Sequence, residues 1–546
     1  MYKKFLKIPV KPTKKRLTPK NYDISDQQKQ TIRDQSYLGK KGYTIPKSCL
    51  TTDELIFLKE DLFMKPEING AVYGSSQETA FPVFRENDKK IYIPRFYGIS
   101  RYGLPPRSEL SAGLDINVPF VQTLRDYQEV ITGTYMNYVS DKPMGSGGIL
   151  DIPTGRGKTV MALKIISSLG KKTLILVHKE FLMTQWIERI EEYLPSARVG
   201  KIQADVCDYR DKDIVLGMIQ TIYKKEYPQH LYDQFGFTVI DEVHRIGSEE
   251  FSKSLLKIIT PYMLGISATV ERKDKMSKVL YMFIGDVIYS EKRAMDDIVN
   301  VRAIEYKTTD REFNEVEYDF RGNPKYSTMI TKLCAYNKRT DFILRVITDL
   351  LIENPENQIM VLSHNRSILT YLYDGINHRK IGTTGYYVGG MKQEQRKETE
   401  EKQIVLATYA MASEGLDIKT LNTLIMITPK TDIVQSVGRI LRMKHENPII
   451  VDIVDSHDLF QKQWIQRRRY YKKCNYRIRY IDTNQYAGMN IDWETDKTWT
   501  WVYEPKPVES TKKDENNQED SEENEEPEKK SGTVFAGKCI IDIEGL

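Results

Sequence analysis

Two successive α/β domains, each built on a parallel sheet, are what this sequence of 546 residues predicts. Three observations carry that reading. Between about residues 118 and 300, short apolar runs recur as GGILDI, KTLILV, DIVLGMI, FTVIDE and YMLGISAT, separated by stretches of helical periodicity. The same rhythm returns between about 333 and 458, as QIMVLS, QIVLATY, TLIMIT and PIIVDIV. Runs this apolar suit strands buried on both faces, which is what a parallel sheet covered by helices requires.

In chain order, residues 1–117 read as an N-terminal accessory region, punctuated by Tyr and Pro and without a strong period. Residues 118–300 form the first α/β domain, 301–332 a linker, and 333–458 the second α/β domain. Residues 459–508 are a basic, aromatic extension: KQWIQRRRYYKKCNYRIRY sets eight basic residues among Trp464 and four tyrosines. Residues 509–532 are an acidic, low-complexity tail expected to be disordered. Residues 533–546 follow as a terminal segment, either a docked strand or a partner-binding peptide.

Composition narrows the function classes. At 40% hydrophobic and 29% charged, the chain has an ordinary globular make-up. No apolar run approaches membrane-spanning length, and the basic start MYKKFLKIPVKPTKK lacks the apolar stretch of a secretory leader. Cys49, Cys207, Cys334, Cys474 and Cys539 lie far apart with no CxxC pair, which favours free thiols over disulfides or zinc. The expected setting is soluble and intracellular. The net charge of +5 hides an asymmetry, because ten acidic residues face two lysines between Glu509 and Glu528. A basic body with an acidic tail suits a polyanionic partner.

The strand GGILDI runs into PTGRGKT and then the helical VMALKIISSL. A Gly-rich turn between strand and helix points backbone N–H groups and the positive helix end at a phosphate chain. Gly155 and Gly157 permit the turn, with Thr154 and Arg156 beside them. Lys158 can reach the β- and γ-phosphates, and Thr159 can hold Mg²⁺. The strict GxxxxGK[ST] pattern would need glycine at Ile152. About eighty residues on, the strand FTVIDE ends in Asp241-Glu242-Val243-His244, placing carboxylates where parallel sheets bind ligands. Asp241 would hold the metal and Glu242 would orient or deprotonate the attacking water. ATP and Mg²⁺ are the implied cofactors. Further on, QSVGRILR aligns Gln435, Arg439 and Arg442 at i, i+4 and i+7. Guanidinium groups beside apolar packing call for an anion.

Together, PTGRGKT, DEVH and the Ser267-Ala268-Thr269 that follows the next strand resemble the superfamily 2 helicases and translocases of the DExH type. The likeness extends to Arg125-Asp126-Tyr127-Gln128, VHKEFLMTQW, GMIQT, VLSHNRS, ATYAMASEGLD and QSVGRILR, in the family's order over about residues 118–458. The resemblance implies two tandem RecA-like domains. It implies that Arg125 and Gln128 lie at the adenine, with Gln128 reading the base. It also puts Arg439 and Arg442 against the γ-phosphate, with Gln435 orienting the water or the phosphate. His244, Ser267 and Thr269 would couple hydrolysis to the grip on a strand, and Gly415 and Asp417 would lie near the nucleotide or that strand. Gln220, Thr221 and Thr408 would touch the nucleic-acid backbone.

Arg467, Arg468 and Arg469 are candidate contacts on different grounds: cations track phosphates while the interleaved aromatics stack bases. The other account of that segment, compatible with the first, is an amphipathic helix packed on the second domain.

Within the superfamily the motifs look most like helicases of large cytoplasmic DNA viruses, of the poxvirus transcript-release type, and like XPB-type and phage branched-DNA helicases. This implies a monomeric motor acting on DNA rather than RNA, with 3′-to-5′ polarity. It also implies a role in viral transcription termination or transcript release beside RNA polymerase or transcription factors, in host cytoplasm or virion. A fork-remodelling recombination or repair helicase is the alternative enzyme. A non-motor nucleic-acid-binding scaffold is the alternative outside enzymes.

Overall fold

The computed structural model describes residues 22–65, 80–142, 144–153, 155–243, 249–268, 270, 276–291, 299–414, 418–438, 440, 445, 448–492 and 495–505, with the side chains of 413, 414 and 435 excepted. The acidic tail and the terminal segment expected at 509–532 and 533–546 lie outside the described residues.

Both α/β lobes are present, each on an eight-stranded sheet. In the first, the strand order is Val206–Asp208, Val199–Gln203, Ile214–Met218, Thr173–Val177, Phe237–Asp241, Tyr262–Ser267, Gly147–Asp151 and Val287–Ser290. All neighbours pair in parallel except the first two. The central strands TLILV, IVLGM and FTVID are buried along their length, because helices such as Lys158–Leu169 and Glu180–Tyr193 cover them.

The second sheet runs Thr384–Tyr387, Ile404–Thr408, Ile359–Ser363, Thr423–Met426, Ile449–Asp455, Asn300–Tyr306, Arg477–Asp482 and Thr500–Tyr503, parallel except for the last pair. This corrects two boundaries. Residues 301–332 are not a linker: Asn300–Tyr306 pairs with Ile449–Asp455 on one side and Arg477–Asp482 on the other. Its burial along nearly every residue explains why. VRAIEY is a short apolar run, but its distance in sequence from the later strands hid its membership. Residues 459–505 likewise supply a covering helix, Asp458–Lys473, and two strands of the same sheet, rather than an appendage.

Strand Ile449–Asp455 also carries two fully buried acids. Asp452 and Asp455 lie three apart and so face opposite sides of the sheet. Arg467 of helix Asp458–Lys473 pairs with Asp452 at 2.7 Å, and Arg339 of helix Asn337–Glu353 pairs with Asp455 at 2.6 Å. Each covering helix is therefore keyed to the strand by a buried, bidentate ion pair.

The N-terminal region has a small sheet of its own, ordered Arg85–Glu86, Lys90–Ile93, Gly42–Pro46, Tyr37–Gly39 and Arg107–Ser108. Its core is continuous with that of the first lobe: Tyr43, Ile91 and Leu58 belong to one apolar cluster with Ile149, Leu174 and Ile284. Arg95, at the start of helix Arg95–Tyr102, is 1% exposed. Its guanidinium donates to the carbonyls of Thr260, Pro261, Met144 and Gly145 at 2.7–3.2 Å. Four backbone acceptors thus offset much of the cost of burying the cation and tie the region to the first lobe. No helix among the described residues is long and apolar enough to cross a membrane.

Candidate nucleotide site and nucleic-acid contacts

Parallel register assembles the site. Asp151 pairs with Ser267, Ile266 with Asp241, Ile240 with Leu176, and Val177 with Met218, so the carboxyl ends of five strands finish along one edge. Onto that edge come the phosphate-loop residues after Asp151, the acids Asp241 and Glu242, Ser267, and Gln220 with Thr221.

The loop turns at Gly155 (φ +88°) and Gly157 (φ +79°), where side chains are disfavoured. At Gly157 a Cβ would also come within 2.4 Å of Gln128 Nε2. Gln128 is buried, accepts from Arg125 N–H at 3.0 Å, and donates to the Arg156 carbonyl at 3.1 Å. The Arg156 guanidinium stacks 3.8 Å from the Tyr127 ring centroid and pairs with Glu291. The Arg125–Gln128 segment therefore braces the loop from one side. Lys158, first residue of helix Lys158–Leu169, points its ammonium to within 3.4 Å of the Ile152 carbonyl and 3.9 Å of Glu242 Oε1.

Asp241 is buried and its Oδ2 accepts from Trp186 Nε1 at 2.9 Å. Burial first, then the neighbouring Glu242, push its carboxyl up to about 6, against the Trp186 N–H and Lys158. Glu242 sits at φ +52°, a left-handed backbone that a non-glycine residue adopts at a cost. The sharp turn carries Glu242 off the strand line and toward Lys158.

The donor set fits magnesium. Thr159 and Asp241 line one cavity of about 320 Å³, and both offer oxygen. A cation there would offset the repulsion that raises Asp241. Among the described residues no three His, Cys, Asp or Glu side chains converge to hold a metal. A metal at Thr159 and Asp241 would thus complete its shell with phosphate oxygens and water, as magnesium commonly does.

The far wall of this cavity belongs to the second lobe: Tyr387, Gln393, Arg396, Lys397 and Glu400. Glu188 of helix Glu180–Tyr193 accepts from Gln393 and pairs with Lys397 at 3.2 Å, so the helix bearing Trp186 also touches the other lobe. Trp186, Glu188 and Lys397 were not singled out from sequence. The signal for Trp186 was present in VHKEFLMTQW, but its partner Asp241 lies 55 residues away.

The remaining expectations divide. Thr408 ends strand Ile404–Thr408 level with Ser363. Thr221 is buried and its hydroxyl accepts from Ala204 N–H at 3.0 Å, while Gln220 donates to the His178 carbonyl at 3.1 Å. Ser267 is fully buried at the end of its strand. The expectation for Arg467 is corrected: it is 1% exposed and locked to Asp452, so it cannot meet a phosphate from solvent. Arg469, with Lys462, Lys472 and Lys473, is exposed on the outer face of the same helix, and Arg468 is half-buried. Thr154, His244, Thr269, Gly415, Asp417, Arg439 and Arg442 lie outside the described residues, as does the side chain of Gln435.

Comparison with known proteins agrees with this architecture. Residues 122–272 match the family model of the type III restriction enzyme res subunit, and residues 343–444 match that of the helicase conserved C-terminal domain. A protein of Acanthamoeba polyphaga mimivirus, described as an ATP-dependent RNA helicase, is 34% identical over 471 residues, covering 84% of this chain and 89% of its own length. A protein of African swine fever virus with the same description is 28% identical over 357 residues, covering 60% of this chain and 68% of its own. The DNA 3′-5′ translocase XPB2 of Sulfurisphaera tokodaii is 25% identical over 409 residues, covering 66% of this chain and 89% of its own.

Proposed function

The chain belongs to the superfamily 2 helicases, which use ATP to work on nucleic acid, and on that premise we propose that it is a DNA-acting motor serving transcription termination or transcript release in a large DNA virus. One observation carries the ATPase reading of individual residues: Lys158, Thr159, Asp241 and Glu242 converge at one sheet edge, beside a cavity walled by the other lobe. Lys158 binds the β- and γ-phosphates. Glu242 orients the attacking water and takes its proton. Magnesium, held by Thr159 and Asp241, supplies positive charge to the phosphate oxygens when bound. Gln128 recognises adenine as it braces the loop. Arg439 and Arg442 bring positive charge from the second lobe to the transferring phosphoryl group, with Gln435 beside them.

Closure of the two lobes on ATP and opening after hydrolysis would move a strand held across both. Gln220, Thr221 and Thr408 would hold that strand by its backbone, through contacts without sequence information; the motif resemblance supports this reading. Similarity to a DNA 3′-5′ translocase supports the choice of DNA, against the RNA helicase description carried by the two viral relatives, and similarity to those viral proteins supports a viral setting. The transcription role, with RNA polymerase as the partner, rests on the resemblance of the motifs alone.

The test is ATP turnover with single-stranded DNA or RNA of one sequence, followed by transcript release from stalled transcription complexes. DNA should stimulate turnover strongly and RNA weakly. Lys158→Ala, Glu242→Gln and Arg439→Ala should each lower stimulated kcat by about 10³-fold. Stimulation by RNA alone would overturn the choice of nucleic acid. Activity on forked DNA without transcript release would favour a fork-remodelling role.

A further inference from the structure

Between strand Thr423–Met426 and helix Val434–Val437, four consecutive backbone carbonyls each accept a hydrogen bond from a side chain on a different helix. Arg339 Nη2 donates to Ile427 at 2.7 Å, Tyr409 Oη to Thr428 at 2.7 Å, Tyr326 Oη to Pro429 at 3.0 Å, and Arg467 Nη1 to Lys430 at 3.0 Å. The donors come from helices Asn337–Glu353, Tyr409–Glu414, Tyr326–Ala335 and Asp458–Lys473. The Thr428 hydroxyl accepts in addition from His364 N–H at 3.0 Å.

An irregular segment normally satisfies such carbonyls with water, and it moves accordingly. Here the donors are themselves fixed. Arg339 and Arg467 are immobilised by Asp455 and Asp452, and Tyr409 is 3% exposed. Immediately beyond, Ile433, Val437 and Ile440 are buried in the second lobe's core. The segment is thus held at every peptide on entry to the stretch that contains Gln435 and leads to Arg439.

We propose that Tyr326, Arg339, Tyr409 and Arg467 are positioning residues, which fix Ile427–Lys430 as the rigid base of the stretch of chain that carries Gln435, Arg439 and Arg442. The proposal rests on the reading of those two arginines given above. Only Tyr409 lies within residues 343–444, the stretch matched by the helicase C-terminal family model. The other three come from the flanking helices, so the clamp gives those helices a part in catalysis. An arginine supplied across a closing cleft is effective only if its base does not yield, since a displacement of about 1 Å can cost about 100-fold in rate.

The test uses the full chain with Tyr326→Phe, Tyr409→Phe and the double variant, which keep the rings and remove only the donors. Nucleic-acid-stimulated kcat should fall about tenfold in each single variant and about 100-fold in the double, with KM for ATP within about twofold. Affinity for ADP should be unchanged, while affinity for ADP with aluminium fluoride, a mimic of the transferring phosphoryl group, falls in parallel with kcat. A double variant whose kcat stays within about twofold of the parent, while Arg439→Ala is inactive, would overturn the clamp. Equal weakening of ADP and ADP–aluminium fluoride, with a lowered Tm, would show general loosening and overturn it as well. Near-normal kcat in Arg439→Ala would instead strike the underlying reading of the arginines, and the clamp with it.

Discussion

At Glu242 the backbone bends into the left-handed region, which glycine enters without the strain that a side chain incurs. Glu242→Gly should therefore raise stability by about 1 kcal/mol while stimulated turnover collapses, measurable by denaturant titration alongside an ATPase assay. Trp186 offers a subtler case. Its indole N–H fixes one oxygen of Asp241, leaving the carboxylate oriented toward the cavity that Thr159 shares. Trp186→Phe should raise the magnesium concentration for half-maximal turnover by about tenfold, with the Gln variant at 242 serving as the inactive reference. The acids and the loop lysine were legible in the sequence because each motif sits at a strand end, where local order determines position. The tryptophan was not, because its role depends on which strand happens to lie beside its helix.

Helix Asp458–Lys473 shows the same divide at the level of an element. Its composition marks it as basic and aromatic, and composition alone cannot say which arginine turns inward. Spacing holds part of the answer: Trp464, Arg467 and Tyr471 follow the period of one helical face, and all three are buried. The rest lies in IIVDIVD, where an aspartate inside a continuously buried strand demands a cationic partner. Two outcomes should separate the faces. Arg467→Ala should lower stability by about 3–5 kcal/mol, because it strands a buried aspartate. Neutralising Lys462, Arg469, Lys472 and Lys473 together should leave Tm and basal ATP hydrolysis near the parent values. It should weaken nucleic-acid binding and flatten its dependence on salt, as read from titrations at several ionic strengths.

For the whole molecule, the two-lobe plan could be read from the alternation of apolar runs and helical stretches, since that pattern follows from burial on both faces of a parallel sheet. The N-terminal region could not. Its strands are short, and its attachment through Arg95 depends on four carbonyls that carry no sequence signature. The assignment of 301–332 as a linker failed for a related reason: a single strand entering far ahead of its neighbours lacks the rhythm that identifies the others.

That early strand has a practical corollary for anyone wishing to shorten the protein. A fragment stopped at residue 458, the end of the second α/β domain as read from sequence, would remove Arg477–Asp482 and bare six rungs of Asn300–Tyr306 along one side. An apolar strand with its ladder open is a template for another chain. Such a minimal motor should self-associate at concentrations where the full chain stays monodisperse, and light scattering would reveal it. A useful fragment would therefore run past residue 482, so that Arg477–Asp482 stays on its neighbour.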